Sequence, residues 1–295
     1  MSLFSLLGAL EIGLIFSLVA LGVFISFRLL RFPDLTVDGS FPLGGAVCAT
    51  LIASGTDPFS ATIIATFAGA AAGLVTGWLN VKLKIMDLLA SILMMIALYS
   101  INLRIMGKPN VPLITEPTVF TILQPGWISD YVARPLILIV IVILAKLALD
   151  WFFATQTGLA VRATGSNGRM ARAQGVNTGR MILGGMALSN ALVALAGALF
   201  AQTQGGSDIS MGIGTIVIGL AAVIVGESIL PSRKLVLATL AVIIGAIVYR
   251  FFIALALNSD FIGLKAQDLN LVTAVLVTVA LVIPMLKRRL VGKKG

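Results

Sequence analysis

Apolar residues arrive along this chain in blocks of about 20, whereas the strands of a membrane barrel alternate in segments of about ten. A block of that length lets an α-helix cross a hydrocarbon core of about 30 Å. Hydropathy places the blocks at 3–27, 41–53, 59–81, 88–105, 135–153, 181–200, 211–225, 235–257 and 269–286. They predict an all-α polytopic membrane helical bundle of about nine transmembrane spans, eight to ten, forming a single domain over residues 1–295. The first block follows no basic residue and precedes no small-residue cleavage site, so it reads as a retained helix, not a signal peptide.

The second and seventh blocks are short, 13 and 15 residues, and cover only about 20 to 23 Å as helix. Something irregular completes each crossing. Before the second stands Phe32-Pro33-Asp34-Leu35-Thr36-Val37-Asp38-Gly39-Ser40-Phe41-Pro42, where Ser40 or Asp38 suits a helix cap and Pro42 its first turn. Before the seventh stands Gly205-Gly206-Ser207-Asp208-Ile209-Ser210-Met211-Gly212, equally polar and rich in glycine. Lying five spans apart, the two cross in opposite directions. Interrupted helices 2 and 7 at matching positions of inverted halves are expected along a central pathway, where protein or water satisfies the irregular backbone.

Composition sharpens this picture. With 59% hydrophobic and 11% charged residues, against roughly a quarter charged in soluble proteins, a water-soluble globule is excluded. The net charge of +9 does not point to nucleic acid, because the basic residues sit at segment ends and in loops. One set of loops holds Arg28, Arg31, Lys82, Lys84, Arg162, Arg169, Arg172 and Arg180, and the C-terminal Lys287, Arg288 and Arg289 join it. The opposite set holds Arg104, Lys108, Arg134 and Lys265, so the first set is cytoplasmic, the N-terminus outside and the C-terminus inside. The lone Cys48 and the lack of histidine remove disulfides within the chain and ordinary zinc sites. No phosphate-binding loop of the G-x-x-x-x-G-K-[ST] type occurs, so energy for any transport comes from another subunit or an ion gradient.

Individual residues add candidates. Gly69, Gly73 and Gly77 share one helix face and let a neighbour approach closely. Met94 and Met95 read as bundle filling, and Lys146 and Asp150 as a structural i,i+4 pair. Glu11 and Arg250 lie at comparable depths in apolar spans, serving either as a gate or solute contact or as a buried pair that fixes packing. With Asp34, Asp38, Ser40, Asp208 and Ser210 they make up the candidate pathway residues. The outer loop 106–134 carries Pro109, Pro112, Pro117 and Pro125, too many for one continuous helix.

The cytoplasmic connection 156–180 is built rather than slack. Gly165 is placed to end a short helix, Ser166 or Asn167 to cap the next, Gly175 to end that one, and Asn177 or Thr178 to cap the sixth span. Two short helices studded with Arg162, Arg169 and Arg172 make a knob suited to a groove on a cytoplasmic partner.

The pattern Gly158, Arg162-Ala163, Gly165, Asn167, Ala171, Gly175-Val176-Asn177 resembles the coupling loop of ABC-importer permeases of the branched-chain amino acid and ribose type. The opening with Glu11, the 32–40 stretch and the glycine-rich run after Asp208 are similar too, nearest the tryptophan or tyrosine type subgroup. The chain departs from the ribose-type members in lacking their additional N-terminal helix. The resemblance implies a multi-pass permease subunit of a bacterial cytoplasmic (inner) membrane, not itself an enzyme and carrying no cofactor. It implies a second copy of the permease, a cytoplasmic ATP-binding subunit that holds ATP and Mg and touches residues 162–175, and a periplasmic or lipid-anchored solute-binding protein. The solute it implies is small and amino-acid-like or aromatic. The competing expectation is an ion-gradient-driven secondary transporter using Glu11, Asp34, Asp38 or Asp208 as a titrating carboxylate.

Overall fold

A computed structural model describes residues 3–124, 129–232 and 234–257, with 275 and 278. The chain folds as an all-α membrane bundle. Among the described residues six helices are long and apolar enough to span a membrane: α1 (Leu3–Val23, prolonged by a π-helical stretch Phe24–Leu29), α3 (Pro58–Val81), α4 (Asp87–Met106), α6 (Asp130–Ala154), α9 (Thr178–Gln204) and α11 (Leu235–Leu257). Two shorter apolar helices, α2 (Val37–Ala53) and α10 (Thr215–Ile229), match the interrupted second and seventh spans. The expected ninth span at 269–286 lies outside the described residues, apart from 275 and 278.

Local chemistry sets the helix ends. Asp57 caps α3 by accepting the Ser60 N–H (3.1 Å), with Pro58 in the first turn. Gly107 and Gly205 close α4 and α9 at φ +66° and +72°, conformations that glycine adopts without strain. α1 and α9 fill the centre, and α2 and α3 pack on α9. Gly73 faces α9 so closely that a Cβ there would meet the Met186 carbonyl oxygen at 2.2 Å, so the small-residue face predicted for this span is its contact with α9. α4 and α6 turn apolar rows outward, among them Leu93, Ile96, Val140 and Leu144. The Lys146–Asp150 ion pair on α6 is bonded across to α11, because Thr239 donates to Asp150 (2.8 Å).

Three features differ from expectation. The outer loop contributes a strand, β1 (Asn110–Pro112), paired antiparallel with β2 (Gly206–Asp208), so that Val111 lies opposite Ser207, before a short helix α5 (Val119–Leu123). Its three residues are too few to register as a pattern. α10 starts at Thr215, not 211, because Met211 and Ile213 are apolar letters in a turn whose backbone is set by Gly212 and Gly214. α2 starts at Val37, so Asp38 and Ser40 lie within the helix and do not cap it.

Candidate functional site

The polar stretch before α2 runs into the bundle, and every polar group it brings there finds a partner. Asp34 Oδ1 accepts the Thr36 N–H (3.0 Å), and its Oδ2 accepts Asn190 Nδ2 of α9 (2.8 Å). The Ser40 hydroxyl donates to Asn190 Oδ1 (2.7 Å), and Asn190 Nδ2 also reaches the Met186 carbonyl (3.1 Å). Asp34, Ser40 and Asn190 are all buried, so this cluster ties the start of α2 to the middle of α9 and lies away from any surface. Asn190 was not singled out in the sequence, although a lone asparagine inside an apolar span is the signal that marks it.

Asp38 points the other way. Its Oδ1 accepts the Ile216 N–H (2.7 Å) and its Oδ2 the Gly214 N–H (3.3 Å), so a carboxylate on α2 caps the N-terminus of α10. That satisfies two of the donors a helix start leaves open, and the negative charge suits the positive end of the helix dipole. The approach is possible because Pro42 has no N–H, which leaves the Asp38 carbonyl without its usual intrahelical donor. Gly212 sits on this spot: a Cβ there would lie 2.1 Å from the Asp38 oxygen. Gly214 turns the chain into α10 at φ +82°. The two interrupted helices thus meet start to start, after which α10 packs on α1 and α11.

Cavities flank this junction. One of about 410 Å³ is lined by Asp38, Pro42, Met95, Tyr99, Asn102 and Ile213. Met95, expected to fill the bundle, therefore faces open space. Asn102 donates to the Gly39 carbonyl (3.2 Å), while its Oδ1 is buried without a partner among the described residues. A second cavity of about 350 Å³ is lined by Asp208, Phe200, Met211 and Asn110. The 206–214 segment thus contributes Asp208 and Met211 to one cavity and Ile209 and Ile213 to the other, and separates them. Ser210 donates both its hydroxyl and its N–H (2.8 Å) to Asp208, holding that carboxyl below the usual carboxylate range. Phe200 continues inward as a ring cluster with Phe16 and Phe41, the last two stacked at 5.7 Å.

Glu11 and Arg250 do not form a pair. Arg250 lies over the Phe16 ring, 4.7 Å from its centre, with its Nε buried and unbonded among the described residues, and Glu11 makes no ion pair among them. Similar depth along two helices does not fix the faces on which the side chains project.

The connection to α9 forms two short helices, α7 (Gln156–Ser166) and α8 (Gly168–Ala173). Asn167 caps α8 by accepting the Met170 N–H (3.1 Å), Gly175 takes φ +83°, and Asn177 caps α9 through the Arg180 N–H (3.1 Å). Gly165 has a different role from the one expected. It lies inside α7, where a Cβ would meet the Leu29 carbonyl at 1.8 Å, so its lack of a side chain seats α7 against the end of the π-helical stretch. Gly158 and Ala171 are buried, Gly165 half-buried, and Arg172 donates to the Thr178 hydroxyl (3.3 Å) at the first turn of α9. Ala163 and Arg169 are exposed and Arg162 half-buried. We expect Gly165→Ala to lift α7 off Leu29 and destabilise the chain by about 1–3 kcal/mol, read as a lower melting temperature in detergent.

The family described as branched-chain amino acid transport system / permease component matches residues 5–286. A tyrosine transport system permease protein of Clostridioides difficile is 40% identical over 265 residues, 90% of this chain and 86% of that protein. An uncharacterized protein of Rickettsia prowazekii is 33% identical over 282 residues, 94% of this chain and 96% of that one. The ribose import permease protein of Escherichia coli is 26% identical over 261 residues, 85% of this chain and 76% of that protein. No solved structure matches.

Proposed function

We propose, from the premise that this chain belongs to the branched-chain amino acid transport permease family, that it is the membrane-spanning subunit of an ATP-driven importer. It is a transport subunit whose energy comes from a partner that binds ATP and Mg on the cytoplasmic side, with an external solute-binding protein delivering the cargo. A second copy of the chain completes the complex in a bacterial inner membrane, with the N-terminus outside. The similarity to a tyrosine permease supports a small amino-acid-like or aromatic solute. The cavity beside Asp38 suits such a cargo, offering Tyr99 and Met95 for an apolar side chain and the Asp38 carboxylate at its wall.

The observation that carries this reading is the unbroken connection from knob to junction. α8 is tied to the first turn of α9 through Arg172 and Thr178, and α9 holds the start of α2 through Asn190. A force applied at α8 therefore reaches the junction of α2 and α10 along one helix. A secondary carrier has no need of such a knob. Reconstitution separates the two: uptake that requires the ATPase subunit and ATP supports the importer, and uptake by this chain alone under an ion gradient refutes it. Arg169, exposed and free of the α9 contact that Arg172 makes, is the residue to reverse. Arg169→Glu is expected to weaken co-purification of the ATPase subunit roughly tenfold, about 1.4 kcal/mol, with membrane insertion unchanged. Undiminished assembly would move the docking surface elsewhere.

A further inference from the structure

A third cavity, about 570 Å³, opens at the end of the bundle from which α7 and α8 project, and of the coupling segment 162–175 only Arg162, Ala163 and Ser166 line it. Arg28, Arg31 and Arg162 line it together with Ser166, Ser232 and Glu227. Glu227 is matched to Arg28 (2.6 Å), and among the described residues neither Arg31 nor Arg162 has an ion pair. Two arginines without an ion pair among the described residues therefore line one space. Its floor is apolar, formed by Phe24 and Leu235 at the ends of spanning helices, and no residue of α8 lines it.

Membrane topology explains why arginines lie on this side, but not why three converge on a cavity, nor the backbone at Arg31. That residue has φ +56°, where glycine usually stands, and it ends the π-helical stretch as the Phe32 N–H reaches back to the Ser26 carbonyl (2.9 Å). Because that conformation suits glycine, Arg31→Gly removes the guanidinium without straining the backbone.

We propose that this cavity is a phosphate-group site, filled by the headgroup of an anionic phospholipid or by a soluble phosphate. Arg31 and Arg162 grip the anion through paired N–H donors, and the serine hydroxyls supply further donors. A lipid occupant lays its chains along the apolar ends of α1 and α11. The site lies in the seam between knob and bundle, so its occupant braces α7 from the membrane side.

The test uses the full chain in detergent, reloaded with phosphatidylglycerol or phosphatidylcholine and read by native mass spectrometry, with inorganic phosphate as competitor. The wild type is expected to retain phosphatidylglycerol in preference. Arg31→Gly should retain about fivefold less, the contribution of one arginine near an anionic surface, and melt no lower, since glycine fits the backbone better. Lys84→Gly, which removes a basic residue at φ +60° outside the cavity, should retain as much as the wild type. Displacement by phosphate identifies a soluble occupant, and retention against phosphate identifies the lipid. Equal retention of both lipids with no phosphate binding, or unchanged retention in Arg31→Gly, overturns the proposal.

Discussion

Asn190→Leu should destabilise the folded chain by about 3–5 kcal/mol, the range for removing one partner of a buried charged group. The substitution keeps the branched shape of the side chain but deletes the donor to Asp34 Oδ2 and the acceptor for the Ser40 hydroxyl. Both are buried, and no water is available inside a bundle to replace what is lost. Asp34→Asn should be far milder, about 1 kcal/mol. The new amide keeps an oxygen for the Thr36 N–H, and Asn190 can rotate its own amide so that its oxygen accepts from residue 34 and its nitrogen donates to Ser40. What that rotation loses is the bond to the Met186 carbonyl. The single cysteine gives a direct readout: Cys48 is buried, so labelling by a thiol-reactive fluorophore on heating reports opening of the core. If Asn190→Leu and Asp34→Asn melt together, the cluster is not what joins α2 to α9.

Much of the bundle was legible because hydropathy reads long helices directly, and α3, α4 and α11 begin and end within a residue or two of their apolar blocks. The junction was half legible. The polar runs before the two short helices marked irregular backbone, since charged residues inside an apolar chain have few other uses. The pairing of those runs was not, because Asp38 and Ile216 are 178 positions apart and nothing in a linear pattern says which helix a carboxylate will cap. Gly165 shows a related limit: glycine ends helices and also admits close neighbours, and only the position of Leu29 decides between the two. Glu11 and Arg250 were matched by depth, but rotation about each helix axis, which sets the partner, is fixed by packing, which lays Arg250 over Phe16 and sets α1 against α6 and α11.

Asp38→Ala should abolish most uptake, by at least about tenfold, while lowering stability by only about 1–2 kcal/mol, the usual scale for a lost helix cap. The two effects separate because of where the cap is. An exposed helix start that loses its cap turns to water, whereas the start of α10 lies against α2, with the Gly214 and Ile216 N–H groups aimed at the vacated position. Those donors must find another acceptor, and the chain from Gly212 to Gly214 has to shift for them to do so, carrying Ile213 with it across the wall of the 410 Å³ cavity. Asp38→Asn should fall between, since one oxygen remains for Ile216 while the amide nitrogen opposes the Gly214 donor. Asp208→Asn is the contrast: Asp208 bonds to Ser210 in its own turn and to Asn110 of β1, not to α10, so its loss disturbs the 350 Å³ cavity and leaves the junction intact. Uptake of labelled solute by proteoliposomes containing the complete transporter, set beside Cys48 labelling of the same variants, measures transport and folding independently. Full uptake in Asp38→Ala would mean that the meeting of the two helix starts serves the fold alone and that the solute passes elsewhere.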